Sequence, residues 1–200
     1  MQKKKQLSIW TLAAGIIATV VIVLCLLFIP PYNRMISLQE TIGTKQANIQ
    51  TQLQARFDKI NEMMPTVEAA LNQNSDIAKE INRLSSNIPG TTVDAAGKVQ
   101  IDPNASREDL EAADQAAGTM VRDLSQVIQN DPELRNDTSV EDFMVAVEGM
   151  ENRIAVARKN YNEAVQEYNT YIRGFPHNIA AGMFGFEKAE SFSASSQAQS

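Results

Sequence analysis

The chain has 200 residues, which is enough for one domain and a membrane anchor, and its formal net charge at pH 7 is −6. All acidic residues follow the N-terminal apolar run, so the remainder is strongly acidic, repels phosphate backbones and is not expected to bind nucleic acid. The single cysteine, Cys25, and the single histidine, His177, exclude an intrachain disulfide, a Cys/His zinc cluster and any site that needs two or three histidines.

An N-terminal transmembrane helix is the first predicted element. Residues 7–29 carry no charge. At the rise of an α-helix this run reaches about 30 Å, the hydrocarbon thickness of a bilayer. Trp10 and Tyr32 lie near its two ends, where amphipathic rings favour the membrane interface. We expect Pro30 and Pro31 to interrupt the helix, because proline lacks the N–H donor and restricts the preceding residue.

Basic residues predict the orientation of a single-pass protein in the cell membrane. Residues 1–6 contain three lysines, whereas only Arg34 follows the run closely, so residues 1–6 are expected in the cytoplasm and the rest outside it. A cleaved signal peptide would have a shorter apolar stretch and small residues at its exit, but this run is long and ends in bulky side chains. A lipid-attachment cysteine would also follow small residues, whereas Cys25 follows Val23 and Leu24.

Beyond the anchor, helical periodicity predicts an all-α fold. We expect an antiparallel up-and-down four-helix bundle over residues 32–190, with long first and last helices and coiled-coil character. A kink is expected at Pro65 in the first helix, A. The apolar stripe of helix A comprises Leu38, Ile42, Ile49, Leu53, Ile60, Met63, Val67 and Leu71.

Capping and turn residues predict the other helices. Helix B is expected over residues 76–86, helix C over residues 106–129 and helix D over residues 138–174. Glycine, proline and small polar residues indicate a mobile surface loop over residues 89–105. The Ser/Ala/Gln-rich residues 191–200 are expected to be disordered.

Several separated motifs resemble those of one bacterial family. Residues 151–162 read ENRIAVARKNYN, and a second YN pair, an FP pair and the run GMFGF follow in order. Together with YN at residues 32–33 and matching runs at residues 47–50 and 52–58, they are similar to the LemA family of bacterial membrane-anchored proteins. The resemblance implies a small antiparallel helical bundle with an N-terminal anchor, and it implies no reaction. One departure is that Ile60 precedes Asn61, where the family usually has proline, and a proline comes only at Pro65.

Polar and aromatic residues near the end of the chain are the candidate structural or partner-binding residues. The polar ones could bind a ligand, but we favour bonds to neighbouring helices that fix the register of the bundle. Tyr161 and Tyr168 are seven residues apart and share a helix face. We therefore expect their rings to pack in the core with the hydroxyl groups in contact with water, rather than to stack on a ligand. The set comprises Asn152, Arg153, Arg158, Tyr161, Asn162, Tyr168, Asn169, Phe175 and Pro176.

Apolar residues after helix D are candidates for contact with the membrane interface. In an up-and-down bundle helix D ends beside the bilayer, which would bring these side chains to the lipid headgroups. They are Met183, Phe184 and Phe186, with Phe175 and Phe192 as further members. Equally, the segment could only cover the apolar end of the bundle, and the sequence leaves both interpretations open.

The sequence predicts no catalytic, cofactor-binding or metal-binding residue, and hence no enzyme. Glu163 and Glu167 are four residues apart, but di-metal helical bundles use a Glu-x-x-His pattern that this chain lacks. We expect a non-catalytic membrane-anchored scaffold or adaptor of the bacterial cell envelope, with the lipid bilayer and another envelope protein as partners. The alternative is an envelope sensor or receptor domain that binds a small ligand between helices. The oligomeric state does not follow from the sequence.

Overall fold

The structure, a computed structural model, describes residues 2–70 and 87–193, so predicted helix B at residues 76–86 lies outside it. The described chain is mostly helical, as predicted, whereas the antiparallel four-helix arrangement stays a prediction. The elements in chain order are α1 (Gln2–Ala70), β1 (Thr91–Val93), β2 (Val99–Ile101), α2 (Arg107–Asn130), α3 (Pro132–Arg135), α4 (Thr138–Arg173) and α5 (His177–Phe184).

The chain divides into two compact units. The first unit comprises Met1–Ile42 and Ala164–Glu190, and the second comprises Gly43–Glu163 and Ser191–Ser200.

The N-terminal part of α1 is apolar and uncovered. Its most apolar window has a mean hydropathy of 3.1, and none of that window is buried. This confirms the prediction of one N-terminal helix long and apolar enough to cross a membrane. The predicted interruption at Pro30 and Pro31 is wrong, because α1 continues through both. Each proline removes only one donor, and the helical turns on either side keep their hydrogen bonds.

In the first unit, α1, α4 and α5 all contribute apolar side chains to the interior. An ion pair of 2.6 Å joins Arg34 Nη2 to Glu167 Oε1. Both side chains are more than half exposed, so the pair adds at most about 1 kcal/mol to stability. Burial therefore holds this unit together, through Met35, Leu38, Ile42, Val165, Tyr168, Ile172, Ala180 and Ala181.

In the second unit, α2 begins at a capping box. The Ser106 hydroxyl accepts a hydrogen bond of 3.1 Å from the Asp109 N–H, and the Asp109 carboxylate accepts one of 3.1 Å from the Ser106 N–H. The helix start predicted at Ser106 is thus present. α4 begins at Thr138, and the carboxylate of the preceding Asp137 accepts a hydrogen bond of 2.8 Å from the Ser139 N–H.

A β-hairpin occupies the segment that the sequence predicted as a loop. β1 and β2 pair antiparallel, with Thr91 opposite Ile101. Val99 and Ile101 are buried, and Gln100 between them is exposed. The loop prediction is wrong at these strands because three residues per strand are too few to show a period of two.

Gly90 allows the hairpin to pass close to the start of α2. Its φ of +69° is favourable only for glycine, and a Cβ here would lie 2.5 Å from the Asp109 Cβ. Glycine is therefore required twice, for its backbone conformation and for the close approach.

The disordered tail predicted over residues 191–200 starts too early in the sequence, because Phe192 is packed. Phe192 is 3% exposed, and its ring lies edge-on to Tyr161 with centroids 4.8 Å apart. Packing in the second unit thus removes Phe192 from the candidates for lipid contact. Residues 194–200 lie outside the described part of the chain.

Candidate functional site

A buried arginine connects three helices of the second unit. Arg56 on α1 donates from Nη1 to Asp114 Oδ1 on α2 at 3.0 Å, and from Nη2 to Glu151 Oε2 on α4 at 2.9 Å. Arg158 on α4 pairs with the second Asp114 oxygen at 2.9 Å. The Asp114 carboxylate therefore lies between two guanidinium groups.

Desolvation dominates the electrostatics of this cluster. Burial raises the pKa of the Asp114 carboxyl, and the guanidinium groups of Arg158 and Arg56 counteract that rise. Among the described residues, the buried Nε atoms of both arginines find no hydrogen-bond acceptor. A buried network of this kind contributes little net stability when intact, but losing one member leaves a charge uncompensated.

The sequence carries a signal for this network, although Arg56 and Asp114 were not among the predicted site residues. Arg56 lies three residues after Leu53 and four before Ile60, so it occupies a position of the apolar stripe of α1. Asp114 lies four residues after Leu110 and three before Ala117, and so occupies a position of the apolar stripe of α2. Opposite charges on the apolar faces of two helices indicate a buried pair.

Three asparagine side chains each bind both backbone groups of one distant residue. In each pair the amide nitrogen donates to a backbone oxygen and the amide oxygen accepts from the N–H of the same residue, over 2.8 to 3.2 Å. The pairs are Asn61 with Val99, Asn162 with Phe192, and Asn169 with Ala189. Helix side chains thus satisfy backbone donors and acceptors of segments that are distant in sequence.

The two candidate tyrosines are both buried. Tyr161 is 4% exposed, beneath Phe192, while the Arg158 guanidinium lies 5.8 Å from the centre of the Phe192 ring. In the first unit, the Tyr168 hydroxyl donates to the Glu187 carbonyl at 2.8 Å and accepts from Gln39 at 3.2 Å. Burial raises the pKa of the Tyr168 hydroxyl.

Asn152 and Arg153 lie elsewhere, in an open groove on the second unit. The groove runs between α1 and α4 and has a volume of about 330 Å³. The lining residues are Asn48, Gln52, Asn152, Arg153, Val156, Ala157 and Asn160. Val156 is 57% exposed within it. The structure therefore separates Arg153, in the groove, from Arg158, in the buried network.

The polar side chains that line this groove lack a partner in the part of the chain that the structure describes. Among the described residues, no hydrogen bond or ion pair holds Asn48, Gln52, Asn152, Arg153 or Asn160. Their donors and acceptors face solvent, in contrast to those of Asn162 on the same helix. The groove thus offers amide and guanidinium groups around one exposed valine.

The candidate membrane-interface residues lie in the first unit. The Tyr32 ring is edge-on to those of Phe184 and Phe186, with centroids 5.0 Å and 5.6 Å apart. Met183 is 67% exposed and Phe184 is 48% exposed. Phe175 and Pro176, which precede α5, are also exposed.

Acidic side chains on α2 and α4, including the predicted pair of Glu163 and Glu167, lie beside basic partners. Glu167 pairs with Arg34 at 2.6 Å, and Glu163 lies 3.9 Å from Lys159. Glu111 pairs with Arg107 at 3.0 Å. Within residues 2–70 and 87–193, no group of three or more His, Cys, Asp or Glu side chains is arranged to hold a metal ion.

Comparisons with known proteins identify relatives across most of the chain. A model described as the LemA family matches residues 45–200. Magnetosome proteins MamQ 1 and MamQ 2 of Paramagnetospirillum magneticum are each 25% identical over 175 residues, covering 80% of this chain and 64% of the relative. Magnetosome protein MamQ of Magnetospirillum gryphiswaldense is 25% identical over 195 residues, covering 90% of this chain and 71% of the relative. The chain thus spans under two thirds of the first two relatives.

Proposed function

The chain belongs to the LemA family, and on this premise we propose that it is a non-catalytic, membrane-anchored helical scaffold that docks another cell-envelope protein. The observation that carries the proposal is the groove between α1 and α4, in which five polar side chains have no partner among the described residues. A tethered protein needs only weak contacts, because confinement to a membrane raises the effective concentration of its partner.

The asparagines of α4 suggest how the groove recognises a partner. Asn162 binds the N–H and carbonyl of Phe192, in a segment of its own chain that has no regular secondary structure. Asn152 and Asn160 have the same chemistry, and within residues 2–70 and 87–193 no backbone segment is hydrogen-bonded to them. We therefore propose that an extended partner segment fills the groove, donating and accepting through its backbone, while Arg153 attracts an acidic side chain.

Site-specific photo-crosslinking in native membranes tests this proposal. The photoreactive residue replaces Val156 inside the groove, and a matched control replaces Val145, which is 68% exposed on the same helix but outside the groove. The expected result is a protein adduct, identified by mass spectrometry, at position 156 and not at 145. Asn152→Ala with Arg153→Glu should reduce its yield. Equal adducts at both positions, or none at either, would contradict the proposal.

A receptor for a small ligand is the second candidate function. The groove volume of about 330 Å³ falls at the lower end of the range of about 300 to 1,000 Å³ for ligand pockets. In the same experiment, an adduct at position 156 with the mass of a small molecule would favour the receptor over the scaffold.

The proposed orientation places residues 1–6 in the cytoplasm and the second unit outside it, following the lysine asymmetry. Labelling of intact cells with an impermeant maleimide tests this. In a Cys25→Ser background, Ala95→Cys in the exposed hairpin turn should react, and Gln2→Cys should react only after lysis. The reverse pattern would invert the orientation.

A further inference from the structure

One side of the segment around α5 is apolar and uncovered. Phe175 is 82% exposed, Ile179 is 49% exposed and Met183 is 67% exposed, and a spacing of four puts Ile179 and Met183 on one helix face. Ala180 and Ala181 are buried at 2% and 4% exposure. α5 itself contains no Asp, Glu, Lys or Arg.

This apolar side is attached to the end of the membrane anchor. Phe184 at the end of α5 packs against Tyr32, with ring centroids 5.0 Å apart. Tyr32 follows Ile29, the last residue of the uncharged run, by three residues, or about 4.5 Å along the helix axis. The headgroup region on each side of the hydrocarbon core is about 5 to 7 Å thick. If α1 crosses the bilayer with this run, Phe184 lies at headgroup level.

We propose that α5 is an interfacial membrane helix that inserts Phe175, Ile179 and Met183 into the boundary between headgroups and acyl chains. The occupant of this surface is phospholipid, because the contact between Tyr32 and Phe184 makes the patch continuous with the lipid-facing run of α1. Several exposed apolar residues in one segment mark an interaction surface, and a role that only covers the core does not explain the exposure of these three side chains.

The inference concerns a different surface from the groove of the proposed function, and it depends only on α1 crossing the bilayer. The protein then contacts its membrane twice, once through α1 and once through α5. Such a second contact would restrict the tilt of the first unit against the membrane surface.

Fluorescence quenching by brominated phosphatidylcholine vesicles tests the proposal on the full-length chain. Trp10 is the only native tryptophan and reports the anchor. Two reporters are made in a Trp10→Phe background, Met183→Trp and Phe175→Trp, since both side chains are largely exposed and lose no packing. The matched control is Thr41→Trp, exposed on α1 of the same unit and about 18 Å beyond Ile29 along the axis.

Lipids brominated near the glycerol end of the acyl chains should quench Trp10 and both α5 reporters, shift the emission of those reporters to the blue, and leave Thr41→Trp unchanged. An α5 reporter that is blue-shifted yet unquenched would be covered by protein instead, which overturns the proposal. The proposal is also overturned if the emission of both α5 reporters stays red-shifted and unquenched while Trp10 is quenched. An unquenched Trp10 removes the anchor itself, a failure distinguishable from that of α5.

Discussion

Arg56 donates a hydrogen bond of 3.0 Å from Nη1 to Asp114 Oδ1, although only 3% of the Arg56 side chain is exposed. Arg158 binds the other oxygen of the same carboxylate at 2.9 Å, so a single buried negative charge serves two arginines. Asp114→Asn should lower the free energy of unfolding by about 3 to 5 kcal/mol, because it leaves two buried guanidinium groups without their main counter-charge.

Chemical unfolding in detergent, followed by circular dichroism, measures this loss. Glu163→Gln is the control, since its side chain is 60% exposed and 3.9 Å from Lys159, and it should change stability by less than about 0.5 kcal/mol. Equal stabilities of the two variants would show that the buried cluster is energetically unimportant.

The contact between Asn162 and Phe192 predicts local protection of the C-terminal segment. Asn162→Ala removes two hydrogen bonds, of 3.0 Å and 2.8 Å, each contributing about 1 kcal/mol. Exchange of the Phe192 amide hydrogen should therefore become about 30-fold faster, as detected by hydrogen–deuterium exchange. Asn162→Asp keeps the acceptor for that amide and should give a smaller increase. Unchanged exchange in Asn162→Ala would refute the role of this contact.

Gly90 and Gly97 form a matched pair for testing backbone strain and space separately. Both have positive φ, +69° and +79°, but only at Gly90 would a Cβ meet a close neighbour, the Asp109 Cβ at 2.5 Å. Gly97→Ala should lower the free energy of unfolding by about 1 to 2 kcal/mol, only because a side chain disfavours positive φ. Gly90→Ala should cost more, because the hairpin or α2 must also move. Thermal unfolding of the two variants measures the difference, and equal losses would exclude the steric part.

Asp94 predicts a local pH dependence in the hairpin. The hydrogen bond from the Lys98 backbone N–H, at 2.9 Å, is the main factor that holds the pKa of the Asp94 carboxyl below its ordinary value of 3.8. The folded pKa lies below the unfolded one, so this stabilisation is present above pH 3.8 and is lost as the pH falls through the folded pKa.

NMR titration of the Asp94 carboxyl carbon, in the folded protein and in urea, checks the direction of this shift. Asp94→Asn keeps an oxygen acceptor but cannot titrate, so the acid-induced loss of amide protection at Lys98 should disappear. A folded midpoint at or above the one in urea would disprove the prediction.

The sequence alone determined those features that depend on neighbouring residues. The uncharged run at residues 7–29, the cap at Ser106 and the apolar stripe of helix A, which lies within α1, are visible because helix periodicity and capping act within about four residues. The motifs near the end of the chain also indicated the LemA family, which the match to residues 45–200 shows. The interruption predicted at Pro30 and Pro31 was wrong, because α1 continues through both prolines. The hydrogen bonds of the helical turns on either side favour a continuous helix more than the two prolines disfavour it.

Only the tertiary structure decided which polar side chains are occupied and which are free. Arg56 finds its partners 58 and 95 residues away, and no local pattern encodes those distances. Asn152 and Asn162 are the same residue type on the same helix, yet Asn162 binds a backbone segment, whereas Asn152 binds none in the described part of the chain. The difference arises because the hydrogen-bond partner of a side chain is whichever group packs beside it, and folding brings that group from a distant part of the chain.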